Sequence, residues 1–333
     1  MICSRCGERI WSDDDEGNEN IHLCPSCYDR YYTTCVDCER IIPRDDAYYL
    51  DDDDYDARCY HCHTNRCDSH VIRDYFYKPD PIFYGEGSRY YGLELEIDEA
   101  GESDRNARKL MEIANCGGEE RLYCKHDGSL NDGFELVTHP MSLEYYMTKM
   151  PWADILASAK SMGYRSHQTT TCGLHIHVSR AAFGETESEQ EACIARVLYF
   201  FEKHWEELLK FSRRTKRQLE RWAKRYDLKE QPGDILKHAK GFCGGDRYTC
   251  INLTNASTIE FRMFRGTLKL NTLIATLQLV DRICDVAVSL SDEELTAMSW
   301  TTFVSGCTRP ELIQYLKERR LYVNEPAQAE VEV

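Results

Sequence analysis

Hydrophobic and polar positions alternate with period two at several places after residue 88, the mark of β-strands that bury one face. In Tyr90-Tyr91-Gly92-Leu93-Glu94-Leu95-Glu96-Ile97-Asp98 the alternation sets Leu93, Leu95 and Ile97 on one face and Glu94, Glu96 and Asp98 on the other. Residues 125–130 lead through Asn131-Asp132-Gly133, a hairpin-type turn, into Phe134-Glu135-Leu136-Val137-Thr138, an apolar strand with one embedded carboxylate. Cys172-Gly173-Leu174-His175-Ile176-His177-Val178-Ser179 presents two histidines on one face. In Thr258-Ile259-Glu260-Phe261-Arg262-Met263-Phe264-Arg265, Glu260 and Arg262 share a face, with Phe261 and Met263 opposite. Apolar residues spaced i, i+3, i+4 predict helices over 104–115, 142–162 and 185–212, and the nearly apolar stretch 271–290 predicts a buried one. The mixture predicts an α+β domain.

Carboxylates in a row repel one another unless something positive sits above them, and burying one without a partner is costly. A solvent-facing edge would account for the first strand alone. Four strands that each carry such groups are expected to line a cavity holding metal and anion. Several carboxylates with a histidine suit Mg²⁺ or Mn²⁺ bridging phosphates. A catalytic zinc site from Cys172, His175 and His177 is the weaker alternative, because the neighbouring strands are carboxylate-rich. The chain has no phosphate-cradling glycine–lysine loop, no His-Glu-x-x-His helix and no Gly-x-Ser-x-Gly elbow.

The first 70 residues read differently. Eight of the 17 cysteines form the pairs Cys3/Cys6, Cys24/Cys27, Cys35/Cys38 and Cys59/Cys62, separated by 17, 7 and 20 residues. Two consecutive units of this spacing would each hold one tetrahedral Zn²⁺ through four thiolates, as treble-clef and LIM-like modules do. Linear pairing is preferred and cross-braced pairing stays open. A module this small needs the roughly 10–16 kcal/mol that structural zinc contributes. His22, His61, His63, Cys67 and His70 are spare donors, read as surface groups. The acidic runs 13–16 and 51–54 lack the spacing of a calcium loop and read as solvated tips.

Composition then narrows the partners. The net charge is −16, and residues 1–80 hold 9 Lys+Arg against 19 Asp+Glu. That argues against the N-terminal module as a grip for nucleic acid, whose phosphates need basic contacts; a small zinc module without a basic face fits a protein-docking role. Residues 210–229 reverse the trend with nine Lys+Arg against Glu220 and Asp227. A solvated helix face would explain them, as would a phosphate or anionic-substrate gate nearest Arg213 and Arg214. No window approaches about 18 uninterrupted apolar residues and residues 1–6 are no secretory leader, so a cytoplasmic protein without membrane contact is expected. Lys78-Pro79-Asp80-Pro81 and Gly85-Glu86-Gly87 mark a turn-rich connection. The expected organisation is a zinc module over 1–70, a linker over 71–88, a catalytic domain over 89–323 and a disordered tail over 324–333.

Taken in order, Gly92-Leu-Glu94-Leu-Glu96, Asp127-Gly-Ser-Leu with Gly133-Phe-Glu135-Leu-Val-Thr-His-Pro140, Gly173-Leu-His175-Ile-His177-Val, and Asn252-Leu with Thr258-Ile-Glu260-Phe-Arg262-Met-Phe-Arg265-Gly266-Thr267 resemble the amidoligase family. That family belongs to the carboxylate–amine ligase superfamily with glutamine synthetase and glutamate–cysteine ligase, and the likeness spans about residues 88–290. The resemblance implies a glutamine synthetase-like curved antiparallel sheet with packed helices, ATP entering one end and metals held midway. It implies Glu94, Glu96, Glu135, one of His175 or His177, and Glu260 as Mg²⁺ or Mn²⁺ ligands. Arg262 matches the arginine that contacts phosphate, Arg265 assists it, and Asp127 stands where relatives use a further carboxylate. The implied chemistry transfers the γ-phosphoryl group of ATP to a carboxylate, and an amine then displaces phosphate from the acyl-phosphate. With the zinc module in front, a peptide or protein substrate is expected. A catalytically inactive zinc-dependent adaptor and a nucleic-acid-modifying enzyme are the competing readings.

Overall fold

The computed structural model describes residues 1–18, 21–49, 55–60, 62, 63, 71–242 and 248–322. The acidic run 51–54, the donors His61, Cys67 and His70, and the tail 324–333 lie outside them. The chain divides into two compact units, Met1–Lys78 and Pro79–Val333.

The first unit contains two small cores. Cys3, Ile10, Leu23, Cys24 and Cys27 bury one, and Cys35, Ile42, Cys59 and Cys62 the other. Each starts with the same tight turn: the Gly7 N–H donates to the Cys3 carbonyl and the Glu39 N–H to the Cys35 carbonyl, at 3.0 and 2.9 Å. The turn needs a left-handed residue after its second cysteine. Gly7 supplies it at φ +77° without steric cost, whereas Glu39 adopts φ +57° with a side chain. Cys24 then caps the helix Pro25–Tyr31, with proline in the first position. Strands β1 (Tyr32–Thr34) and β2 (Ile41–Pro43) pair antiparallel, and β3 (Ile72–Arg73) follows.

In the second unit, β4 (Tyr91–Ile97), β5 (Leu122–Lys125), β6 (Phe134–Thr138), β7 (Gly173–Ser179), β8 (Ile251–Asn252) and β9 (Thr258–Arg265) form a sheet in the order β5-β6-β4-β7-β9-β8. Every pairing among these six is antiparallel. One face is a continuous apolar layer of Leu93, Leu95, Ile97, Leu136, Leu174, Ile176 and Phe261, all fully buried. Phe201 of the helix Glu187–Lys203 lies against it, 5.5 Å from Phe261. That helix in turn packs on the long helix Leu270–Ser289. Among the described residues no helix is long and apolar enough to cross a membrane.

Two of the expected helices are broken. The stretch 142–162 is two helices, Leu143–Thr148 and Trp152–Ser161, because Pro151 lacks the N–H that would continue the first. The stretch 185–212 divides at His204 into Glu187–Lys203 and Trp205–Ser212.

One irregularity shapes the sheet's other face. Leu174 pairs with Phe264 and Ile176 with Phe261, so two steps along β7 span three along β9. The extra residue is a β-bulge, which resets the alternation. Met263 and Phe264 are both buried, and Arg265 pairs with Gly173. Strict alternation would have left Arg265 on the face of Phe261 and Met263; the bulge returns it to the face of Glu260.

Candidate functional site

Residues opposed across an antiparallel ladder share a face. The register opposes Lys125 to Glu135, Glu135 to Glu96, Glu94 to His175, His177 to Glu260 and Glu260 to Asn252. Five strands thus deliver their charged side chains to one band across the sheet. His175 sits at its centre, with Nδ1 3.4 Å from Glu94 and 3.6 Å from Glu260, and Nε2 3.8 Å from Glu96. His177 Nε2 lies 3.0 Å from Glu94 Oε1. Three overlapping donor groups result, each with its atoms within 4.8 Å of one another: Glu94, Glu135 and His175; Glu94, His177 and Glu260; Glu96, Asp127 and Glu135.

The band is buried, and its protonation reflects a contest between desolvation and neighbours. Burial pushes the Glu135 carboxyl well above its ordinary range, and the Glu94 carboxylate adds to the push. Lys125, a cationic neighbour at 4.0 Å, partly opposes this. Burial also raises Glu96, partly offset by His175. At Glu94 burial is overcome by His177 and His175, and the carboxyl falls well below its usual value. Burial opposes the His177 cation, yet the Glu94 carboxylate prevails and its pKa rises.

Two arginines complete the band. Arg262 ion-pairs with Glu260, whose other oxygen accepts from Asn252 Nδ2 at 2.8 Å. The Arg262 Nε is buried without an acceptor. Arg214 is buried, donates from Nε to the Phe264 carbonyl at 3.2 Å and faces Glu96. Gly173 makes room for it: a Cβ there would lie 2.5 Å from Arg214 Nη2 and 2.6 Å from His175 Nε2.

Arg213 and Arg265, read from sequence with these groups, form a separate cluster at the Gly173 end of the β7–β9 ladder. Arg265 donates to the carbonyls of Arg213 and Thr169, both at 3.3 Å. Arg213 closes the helix Trp205–Ser212 in the left-handed conformation, φ 61°, which turns it away from its neighbour Arg214. Asp98 leaves the acidic face altogether. Its carboxylate accepts from the N–H groups of Glu99, Asn131 and Asp132 and from Thr171, and so secures a turn. Lys125 and Asn252 receive no role from the sequence. Lys125 ends a strand whose alternation places it beside Glu135; Asn252 stands in one of the motifs of the resemblance, and its pairing with Glu260 brings it into the band.

The donors fit divalent metal of the hard kind. Ligand atoms around Mg²⁺ at about 2.1 Å stand ~3.0–4.2 Å apart, and buried carboxylates outnumber the cations beside them.

In the first unit the four sulfurs of Cys3, Cys6, Cys24 and Cys27 converge, as do those of Cys35, Cys38, Cys59 and Cys62. The Cys6–Cys24 and Cys38–Cys59 sulfurs are 3.8 and 3.7 Å apart. Zinc–sulfur bonds of about 2.3 Å give a tetrahedron with edges of ~3.8 Å, so the linear pairing has the size zinc requires. Backbone N–H groups of Cys24 and Cys6 draw the Cys3 thiol down to about 6, while burial pushes Cys27 up to about 12. His22 joins neither group of sulfurs; its Nδ1 lies 2.6 Å from Asp15. Asp15 also accepts from the Gly17 and Leu23 N–H groups, which gives the first acidic run a structural member. His63 packs against the Tyr48 ring.

A family model described as "Putative amidoligase enzyme" matches residues 94–284. No curated protein matches the chain. Among solved structures, the complex between prokaryotic ubiquitin-like protein Pup and its ligase PafA aligns at TM-score 0.31 and 10% identity, covering 70% of this chain and 56% of that one. The chain therefore matches little more than half the length of that structure.

Proposed function

Because the chain belongs to the amidoligase family, we propose that it is an ATP-dependent, ADP-forming carbon–nitrogen ligase that joins a carboxylate to an amine through an acyl-phosphate. The observation that carries this reading is the buried band of three overlapping donor groups, two of carboxylates with a histidine and one of carboxylates alone, flanked by Arg262 and Arg214. Phosphoryl transfer asks little covalent chemistry of a protein; it asks for positioning and for charge placed on the phosphate oxygens.

In this reading Glu94, Glu96, Glu135, His175 and Glu260 hold Mg²⁺ or Mn²⁺, with His177 and Asp127 as further donors. Such ions neutralise phosphate oxygens and align the γ-phosphoryl group. A substrate carboxylate oxygen attacks the γ-phosphorus and the bond to the β-phosphate oxygen breaks, releasing ADP. The amine then attacks the acyl carbon, loses its proton, and phosphate departs. Glu260 orients Arg262 by its ion pair, and the unpartnered Arg262 Nε offers a donor to the transferring group. Arg214, confined beside Glu96, supplies positive charge to the same centre, and Arg265 stands further along the strand.

The fused cysteine-rich unit supports a peptide or protein substrate. Two structural Zn²⁺ hold that acidic module, which captures the substrate for the catalytic domain; the setting is cytoplasmic, without nucleic acid or membrane. Hydroxylamine, standing in for the amine, tests the chemistry. The full chain is incubated with ATP, Mg²⁺ and a pool of cell-extract carboxylates and peptides. ADP together with hydroxamate, absent with Glu260→Gln, is the expected result. Bound ATP with neither product across the pool would overturn the ligase reading in favour of an inactive adaptor.

A further inference from the structure

The first unit carries a row of aromatic rings outside both of its small cores. Tyr48, Tyr60, Phe76 and Tyr75 follow one another edge to face, with ring centroids 5.3, 5.7 and 4.9 Å apart. The second cysteine cluster holds the row in place: Tyr60 lies between Cys59 and Cys62, and Tyr48 exchanges backbone hydrogen bonds of 2.9 and 3.0 Å with Arg58. Even so, Phe76 is 71% exposed and Tyr48 39%. A phenyl ring has no polar edge to hydrate, and a ring already fixed by its neighbours loses little entropy when a partner covers it.

The surroundings are acidic. Residues 35–78 hold eleven Asp+Glu against six Lys+Arg. Asp45 and Asp46 are exposed just ahead of Tyr48. Asp74, also exposed, accepts from the Tyr60 hydroxyl and stands two residues before Phe76. Carboxylates therefore flank the row at both ends. Arg58, opposite Tyr48, is buried and ion-paired with Asp37 at 3.2 Å and Asp56 at 3.4 Å, so its charge is already spoken for. Aromatic faces beside carboxylates attract a guanidinium in two ways, through the ring quadrupole and through the charge-assisted hydrogen bond. The unit makes the first contact internally, with Arg5 over the Tyr31 ring at 3.8 Å and Arg73 over Tyr77 at 5.1 Å.

We propose that the row of Tyr48, Tyr60 and Phe76 docks an arginine-bearing segment of a protein partner, its guanidinium groups on the rings and its charge facing Asp45, Asp46 and Asp74. The proposal rests on the reading of the module as the part that captures a protein substrate, and it gives that substrate a basic docking segment apart from the group that reacts. Arginine is selected over lysine, because a planar guanidinium stacks on a ring while its N–H groups still reach a carboxylate. Nucleic acid also stacks on aromatic rings, but its phosphates would face these carboxylates.

The probe is a fluorescent peptide of alternating arginine and glycine, with lysine and glutamate versions of the same length. Binding to the zinc-loaded full chain is followed by anisotropy. The arginine peptide is expected to bind more tightly than the lysine peptide, and the glutamate peptide not to bind. Phe76→Ala should weaken the arginine peptide about tenfold, the scale of a well-placed cation–π contact. Phe76→Leu should weaken it nearly as much, since leucine keeps apolar area but has no π face. Asp45→Asn with Asp46→Asn should weaken it and flatten its salt dependence. Zinc content and circular dichroism confirm that these surface variants fold. Arginine-peptide binding unchanged by Phe76→Ala would be attraction to an acidic chain at large and would overturn the site. Equal binding of the lysine peptide would overturn the stacking. A single-stranded oligonucleotide whose binding is lost with Phe76→Ala would assign the row to nucleic acid and overturn the protein partner. If the capture reading alone fails, Phe76-dependent binding persists, while arginine-bearing carboxylate peptides form hydroxamate no better than plain ones. If the docking claim alone fails, hydroxamate forms and no binding depends on Phe76.

Discussion

Gly173 lies directly across the β7–β9 ladder from Arg265, and its missing side chain is the space that Arg214 and His175 occupy. Gly173→Ala would place a Cβ 2.5 Å from Arg214 Nη2 and 2.6 Å from His175 Nε2, so one of them must move. A displacement of about 1 Å in a positioned group costs on the order of 10²-fold in rate. ADP formation is expected to fall by about that factor with the circular dichroism spectrum unchanged. Full turnover would show that the placement of neither group matters.

Glu260 is buried and forms an ion pair with Arg262, which is largely covered. Glu260→Gln and Arg262→Ala are expected to lower ATP turnover by roughly 10³-fold, the scale of losing one preorganised electrostatic group. Arg262→Lys should not rescue, because an ammonium cannot reproduce the guanidinium fork. Steady-state assays on all three decide it; near-normal turnover in the first two is the contrary outcome.

The cysteine clusters predict two zinc ions per chain by elemental analysis. Chelation should unfold residues 1–78 while the second unit keeps its sheet, since the small cores of the first unit contain few side chains besides cysteine. Glu39→Gly relieves the left-handed strain at φ 57° and should raise resistance to chelator by about 1 kcal/mol, whereas Gly7→Val should lower it. Protein substrates should lose turnover on zinc removal, with nucleotide affinity retained.

His204 is buried among Phe200 and Trp300, its Nε2 has no hydrogen-bond partner, and burial lowers its pKa to about 4 from 6.5. The unfolded chain takes up the proton first. Stability from this group is therefore complete above about 6.5 and is lost as pH falls toward 4. Between pH 7 and 5 the loss is about 2 kcal/mol. Urea unfolding of the parent and of His204→Phe at both pH values checks this; equal losses in the two would refute it.

Much of the site is legible from local pattern. Period two in β4 and β7 was enough to set Glu94 with Glu96 and His175 with His177, and the thiol spacing was enough to pair the cysteines two by two. Those are properties of a few consecutive residues. Asp98 shows where local pattern stops: it belongs to the acidic face by alternation, but backbone N–H groups of residues 131 and 132 claim its carboxylate.

The sequence by itself determined which strands carry charge and which side chains share a face, because the direction of a side chain in a strand depends on the parity of its position alone. Only the tertiary structure decided which strands are neighbours, and hence that Glu135 meets Glu96, that Lys125 and Asn252 join the band, and that Arg213 parts from Arg214. It also decided the parity of Arg265. A bulge in β9 exists only against the partner β7, whose hydrogen bonds select where the extra residue is accommodated. No reading of β9 in isolation contains that partner.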